Sequence, residues 1–250
     1  MRSAFSFNKR DELLMDIIGE KYDIVGLTET WATNSISDSE LDIAGYSVYR
    51  RDRNNILKSK GGGVALYIKD NLVSSRYDLL PNKECEGVYA RISLGKNSHL
   101  LVEVCCRSPN ASIEESLELF KMVSAATDSN ALIFGDFNYP NIDWINLDVN
   151  SGSRHFLDIL NDSYLTQHVT RPTRGSNILY LVLTTESDMI SEFEVPEHLA
   201  NCDHNILAWE IDCNAPVVLI INKSSYVFHK GNYKGFRSYL AGISMEGFVE

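Results

Sequence analysis

Short apolar runs recur along this chain, and segments of helical periodicity interrupt them without alternating with them strictly. Asp23 to Thr28 reads as a buried strand, and Gly61-Gly62-Gly63 opens another at Val64 to Ile68. Residues 87–94 and 99–106 read as two strands about the turn-like Gly95-Lys96-Asn97, and 131–135, 177–184 and 205–211 complete the set. Leu13, Leu14, Ile17 and Ile18 stand at helical spacing, which predicts an amphipathic helix over 9–20. Ile113 to Ala126 is a second helix, with Leu117, Phe120 and Val123 on one face; Ser112, Glu114 and Glu115 suit its N-terminal end, where carboxylates meet the positive dipole. Phe156, Leu157 and Leu160 mark a third near 153–161. Many strands with helices interspersed irregularly specify a layered α/β sandwich rather than a doubly wound parallel sheet. From about Asp212 the composition shifts toward Lys, Ser, Gly and Tyr, so 1–212 reads as one domain and 213–250 as a connector outside its core.

Several function classes drop out on composition. With 44% hydrophobic and 23% charged residues in 250, the chain is an ordinary globular one, and it holds no apolar stretch long enough to span a bilayer. Its start, Met1 to Asn8, lacks the apolar centre of a secretory signal. The five cysteines, Cys85, Cys105, Cys106, Cys202 and Cys213, form no CxxC pair, which indicates neither a zinc site nor a disulfide framework. These features lead us to expect a reducing compartment, nuclear or cytoplasmic, with no secretion and no membrane partner. The net charge of -11 argues against nucleic-acid binding by bulk charge, but not against an enzyme whose acidic centre is flanked by a local basic stripe. Arg50-Arg51-Asp52-Arg53 with Lys58 and Lys60 is such a stripe, and equally a solvated loop.

The chemistry concentrates at the ends of apolar runs. Glu29 follows the 23–28 run, Asp136 and Asn138 follow Ala131-Leu132-Ile133-Phe134, and Asp203-His204 stands far downstream. Together they supply carboxylates, an amide and an imidazole, the set a metal-dependent phosphodiesterase needs: hard oxygens for Mg²⁺, a group to activate water and donors for phosphate. Asp136 and Asn138 alternate about Phe137, so both face one side of a strand end while Phe137 packs. Taken singly, each fragment has an ordinary reading as loop glutamate, turn or surface pair. The glycine triplet lacks the GK[ST] ending of a P-loop and reads as a loop. Arg107, ending the 99–106 run, is either a phosphate contact or surface charge.

In order along the chain stand Thr-Glu-Thr-Trp (28–31), Tyr-Arg-Arg-Asp-Arg (49–53), Gly-Gly-Gly-Val-Ala-Leu-Tyr-Ile (61–68), Gly-Asp-Phe-Asn (135–138), Thr-Arg-Pro-Thr-Arg-Gly-Ser-Asn (170–177) and Cys-Asp-His-Asn (202–205). This series resembles the endonuclease/exonuclease/phosphatase superfamily, and more narrowly the apurinic-type endonuclease domain of non-LTR retrotransposons. The segment Tyr226 to Leu240 is similar to the stretch preceding the reverse transcriptase in such polyproteins; no Tyr-x-Asp-Asp motif is present, so the chain reads as the endonuclease part. The resemblance implies a four-layered, deoxyribonuclease I-like α/β sandwich and cleavage of DNA with Mg²⁺, Mn²⁺ being an alternative ion. It implies that Glu29 binds the metal with Asp203 assisting, that Asp136 activates or orients water, that Asn138 positions phosphate or water, and that His204 meets the scissile phosphate. Either Asp136 or His204 serves as general base. Arg50, Arg53, Arg107 and Arg174 are the candidate phosphate or nucleic-acid contacts.

The chain departs from the family pattern in several places. The family's opening Asn would precede Met1, so the first strand is expected to be truncated. Cys106 stands in place of a Tyr that supports the phosphate, and Tyr180 in place of an Asp that orients the catalytic imidazole. Loss of an orienting carboxylate costs about 10⁴ in rate in a comparable triad. Cys202 replaces Ser in a milder change. The expected function is therefore a retroelement-derived, Mg²⁺-dependent endonuclease with a degraded supporting shell, and the alternative is an inactive domain that folds and binds nucleic acid weakly. A phosphatase of inositol lipids or a sphingomyelinase is a further option, against which the retroelement-like tail and residues 170–177 argue.

Overall fold

The computed structural model describes residues 22–53, 61–78, 86–128, 130–144, 146–149, 151–195 and 206–213. The expected helix over 9–20, the Asp203-His204 pair, Cys202 and the 213–250 connector beyond Cys213 lie outside those residues.

Two sheets form the frame. In the smaller, β3 (Val64–Lys69) is central between β1 (Ile24–Thr28) and β2 (Tyr46–Arg51), both antiparallel to it. The larger runs β10 (Thr166–Gln167), β11 (Tyr180–Thr184), β7 (Asn130–Asp136), β6 (Ser98–Cys106), β5 (Glu86–Gly95) and β4 (Ser74–Arg76). All its pairs are antiparallel except β6 with β7, which run parallel because α2 (Ile113–Ala125) carries the chain back between them. The short pairs β8 (Ile142–Asp143) with β9 (Asp148–Val149), and β12 (Ile190–Glu194) with β13 (Ala208–Ile211), are separate ladders.

Alternation along the strands explains the layering. Val64, Leu66 and Ile68 of β3 meet Val88, Ala90 and Ile92 of β5, Val102 and Val104 of β6, and Leu132 and Phe134 of β7 in one dry cluster between the sheets. The intervening residues Leu101, Cys105, Ile133, Leu181 and Leu183 face the other way. They pack beneath α2 and α3 (Ser151–Asp162) through Leu119, Phe120, Val123, Phe156, Leu157 and Leu160. On the outer face of the small sheet, Ala65 and Tyr67 pack with Ile43 and Tyr46. A strand such as β7, covered on both faces, therefore reads as an unbroken apolar run. The fold is an α/β sandwich with helices outside, as the sequence indicates; of its two packed sheets the larger is mixed and the smaller, among the described residues, antiparallel.

Several elements differ from expectation. β2 and α1 (Asp38–Leu41) form where the sequence suggests no element, with β2 running into the basic stripe at Arg50-Arg51. The strand expected over 177–184 begins at Tyr180, because the Thr173 hydroxyl accepts from the backbone N–H groups of Leu179 (2.9 Å) and Tyr180 (3.1 Å), holding the approach as a turn. The final strand starts at Ala208 rather than 205.

Candidate active site

One end of the sandwich gathers residues from four strands. β1 ends at Thr28 and hands the chain to Glu29, whose φ of 55° is left-handed and therefore needs holding. Its carboxylate supplies the hold: Glu29 Oε2 accepts from Gly62 N–H at 2.7 Å and Trp31 Nε1–H at 2.9 Å. Trp31 N–H and Thr30 N–H donate back to the carbonyls of Gly62 and Gly63. The glycine loop fits because it has no side chains: a Cβ on Gly62 would stand 2.1 Å from the Arg53 guanidinium, and one on Gly63 2.6 Å from Thr30 Oγ1.

Beneath this lies the end of β7. Asp136 is 3% exposed on the inner face, while Phe137 turns to the helix side, fully buried and stacked on Phe156. Asn138, with φ 51°, donates its backbone N–H to Asp136 Oδ1 (3.2 Å) and its side-chain amide to the Arg107 carbonyl (2.9 Å). Burial, and after it the charge of Glu29, push the Asp136 carboxyl up to about 7, against the hydrogen bonds from Asn138 and the charge of Arg174. A carboxyl poised near neutrality is what proton abstraction from water requires.

The two residues read from the sequence as departures flank Asp136. Cys106 of β6 and Tyr180 of β11 are its direct register partners on either side. The Cys106 thiol lies 3.9 Å from Glu29 Oε1, and burial, followed by the charges of Asp136, Glu86 and Glu29, raises its pKa, so it remains a thiol. The Tyr180 hydroxyl is 3.0 Å from Thr28 Oγ1, across the gap between the sheets. Burial first, then Asp136, raises its pKa, so the phenol remains protonated.

The arginines are placed individually. Arg53 ion-pairs with Glu86, whose other oxygen accepts from Gly63 N–H at 2.9 Å. Burial pulls the Arg53 pKa down, but the Glu86 hydrogen bond and charge outweigh it, with Glu29 and Cys106 adding to the rise. Arg50 pairs with Asp38 at 3.0 Å and Asp52 at 3.4 Å and donates to the Ile36 carbonyl. Arg107 donates to Ser116 Oγ and the Asn138 carbonyl and lies over the Tyr139 ring at 4.2 Å. Arg174 sits at the half-exposed base of a tight turn, bridged to Asn177. Sequence reasoning passed over Glu86 and Thr28. Glu86 opens an apolar strand directly after Glu84-Cys85, and that is the only local signal it carries.

Glu29 and Asp136 offer hard carboxylate oxygens, and their mutual repulsion is of the kind a cation relieves. Among the described residues no cluster of three or more His, Cys, Asp or Glu side chains surrounds one point. Mg²⁺ keeps several waters and is commonly held by one or two carboxylates, so this donor set fits it.

Comparison with known proteins agrees with the geometry. The profile of the Endonuclease/Exonuclease/phosphatase family matches residues 5–232. No curated protein sequence matches the chain. Among solved structures, it is similar to the endonuclease domain of TRAS1, a telomere-specific non-LTR retrotransposon, with a TM-score of 0.62 at 18% identity, covering 82% of this chain and 92% of that one. An AP endonuclease from Archaeoglobus fulgidus gives 0.59 at 15% identity, covering 80% and 93%. The 3′ phosphatase NExo from Neisseria, bound to a product DNA hairpin, gives 0.58 at 14%, covering 83% and 96%. The fold, the site at one end of its sandwich and a profile match over most of the length converge: this chain belongs to the endonuclease/exonuclease/phosphatase family.

Proposed function

We propose that the chain is a retroelement-derived, Mg²⁺-dependent endonuclease that hydrolyses DNA phosphodiester bonds slowly. The observation that carries this reading is the meeting of two segments: Glu29, just past β1, acts by its charge on Asp136, the last residue of β7, whose carboxyl is raised to about 7 and accepts from Asn138 two residues on. In this reading Glu29 holds the metal, with Asp203 assisting. Bound there, Mg²⁺ supplies charge for the phosphate oxygens and lowers the pKa of water. Asp136, its carboxyl raised to about 7, takes a proton from the attacking water, with His204 as the alternative base. Asn138, its amide plane fixed by the Arg107 carbonyl, positions water or phosphate. His204 meets the scissile phosphate. Arg174 is the contact for the DNA backbone, whereas Arg50, Arg53 and Arg107 brace the walls of the site through the ion pairs and hydrogen bonds they make. Cys106 and Tyr180 make the enzyme slow, since neither returns the group whose place it takes.

DNA as substrate is supported by the retrotransposon endonuclease and the DNA-bound phosphatase among the similar structures. The inactive reading draws on one specific observation: the Tyr180 hydroxyl is spent on Thr28. Incubation of the protein with supercoiled plasmid and Mg²⁺, with and without chelator and beside Asp136→Asn, separates the two. Chelator-sensitive nicking that Asp136→Asn loses is the expected result. A folded parent that leaves the plasmid intact, or nicking that Asp136→Asn retains, contradicts the proposal.

A further inference from the structure

Glu29 sits just beyond a lightly supported strand. Among the described residues β1 is an edge strand, paired with β3 alone, and its last residue, Thr28, pairs with Val64. The next residue adopts a left-handed φ and carries the carboxylate that gathers Gly62 and Trp31. A conformation of that kind persists when the surroundings over-determine it, and the backbone before Glu29 adds to the hold that its carboxylate makes on Gly62 and Trp31. The ladder to β3 fixes Thr28 on one side. On the other side, Tyr180 of the six-stranded sheet is hydrogen-bonded to Thr28 Oγ1 at 3.0 Å, beside the longer contact of the Cys106 thiol with Glu29 Oε1 at 3.9 Å.

Tyr180 is itself rigidly placed. Its backbone is paired with Asp136 in the β11–β7 ladder, and its N–H donates to the buried Thr173 hydroxyl at 3.1 Å. One residue thus neighbours Asp136 through the sheet and Glu29 through Thr28.

We infer that Tyr180 is a positioning residue: its phenol tethers the end of β1 to the six-stranded sheet and fixes Glu29 relative to Asp136 for cation binding. This rests on the metal-binding role proposed for Glu29. The Tyr180–Thr28 bond joins the two sheets at the site itself, so its loss affects the carboxylate spacing more than the stability of the frame.

The test is a double-mutant cycle read by Mn²⁺ titration, followed by electron paramagnetic resonance, with plasmid nicking and thermal melts alongside. Tyr180→Phe keeps the ring and Thr28→Val keeps the shape, and each removes one hydroxyl. A hydrogen bond of ordinary net strength corresponds to a loss of Mn²⁺ affinity of about threefold to tenfold in either single variant. The double variant is no weaker than the singles, because the same bond is lost once. Thr28→Ser keeps a hydroxyl and restores binding. Parental Mn²⁺ affinity in both singles, or losses that multiply in the double, overturns the tether, even where melting temperature falls. A parent that shows the coupling yet nicks no plasmid upholds the tether and overturns the nuclease reading. A parent that binds no Mn²⁺ overturns both.

Discussion

At the scale of single residues, strand ends carry the proposed chemistry, and they are where the sequence is most legible. Glu29, Asp136 and Asn138 stand out because each follows an apolar run; the run before Asp136 is buried on both faces, whereas the one before Glu29 is half-buried at the edge of its sheet among the described residues. Phe137 between Asp136 and Asn138 is the anchor of that arrangement. Phe137→Ala is expected to cost about 3–5 kcal/mol in denaturant unfolding, through the void left against Phe156. Asp136→Asn keeps the shape and removes the proton acceptor, and steady-state nicking should fall about a hundredfold or more with the melt near that of the parent. Glu86 and Thr28 were illegible for the opposite reason. Their partners, Arg53 with Gly63 and Tyr180, are distant in sequence, and nothing local announces a tertiary hydrogen bond. The same applies to Arg50 and Arg53, which read equally as a nucleic-acid stripe or a solvated loop: Arg53 is paired with Glu86, and Arg50 with Asp38 and Asp52.

At the scale of elements, helix ends and close strand approaches decide what the chain tolerates. The second helix was legible at both its face and its start. Ser112 Oγ accepts from Glu115 N–H at 3.1 Å, and the Glu115 carboxylate accepts from Ser112 N–H at 2.7 Å, a reciprocal capping box. Ser112→Ala should destabilise the protein by about 1 kcal/mol, measured by urea unfolding. Gly135 shows the opposite sensitivity. Its φ is 148°, and a Cβ there would stand 1.8 Å from the Cys105 carbonyl oxygen. Gly135→Ala therefore forces β6 and β7 apart directly beneath Asp136, and its expected outcome is loss of soluble, cooperatively melting protein. β2 escaped the sequence reading because Tyr46-Ser-Val-Tyr-Arg-Arg places two arginines at the end of an edge strand, where charge and β-pairing coexist.

At the scale of the whole molecule, the sandwich tolerates one buried carboxyl that no catalytic role requires. Glu103 of β6 is fully buried opposite Tyr89, on the face packed beneath α2. Burial pushes its carboxyl up to about 8, with the Tyr89 hydroxyl acting in the other direction. The folded protein therefore keeps a proton that the unfolded chain releases above its ordinary value near 4.5. Stability falls as pH rises from there through about 8 and levels off beyond. Glu103→Gln removes this dependence: the variant should melt with the parent at about pH 5 and several degrees above it at about pH 8.5 in scanning calorimetry. The layered architecture itself was legible in the many apolar runs that helices interrupt irregularly; which residues of β6 and β7 fill which core was not, because both faces of those strands are apolar.

The central claim is that Glu29 and Asp136 form one cation-dependent hydrolytic centre. The most direct measurement is the rate of plasmid nicking against Mg²⁺ concentration for the parent, Glu29→Gln and Asp136→Asn, each shown by its melt to be folded. The parent should saturate. Glu29→Gln should need at least about tenfold more Mg²⁺ to reach half its own maximal rate, since it loses the charge that holds the ion. Asp136→Asn should lose rate at every concentration. Superimposable Mg²⁺ curves for the parent and Glu29→Gln would contradict the account.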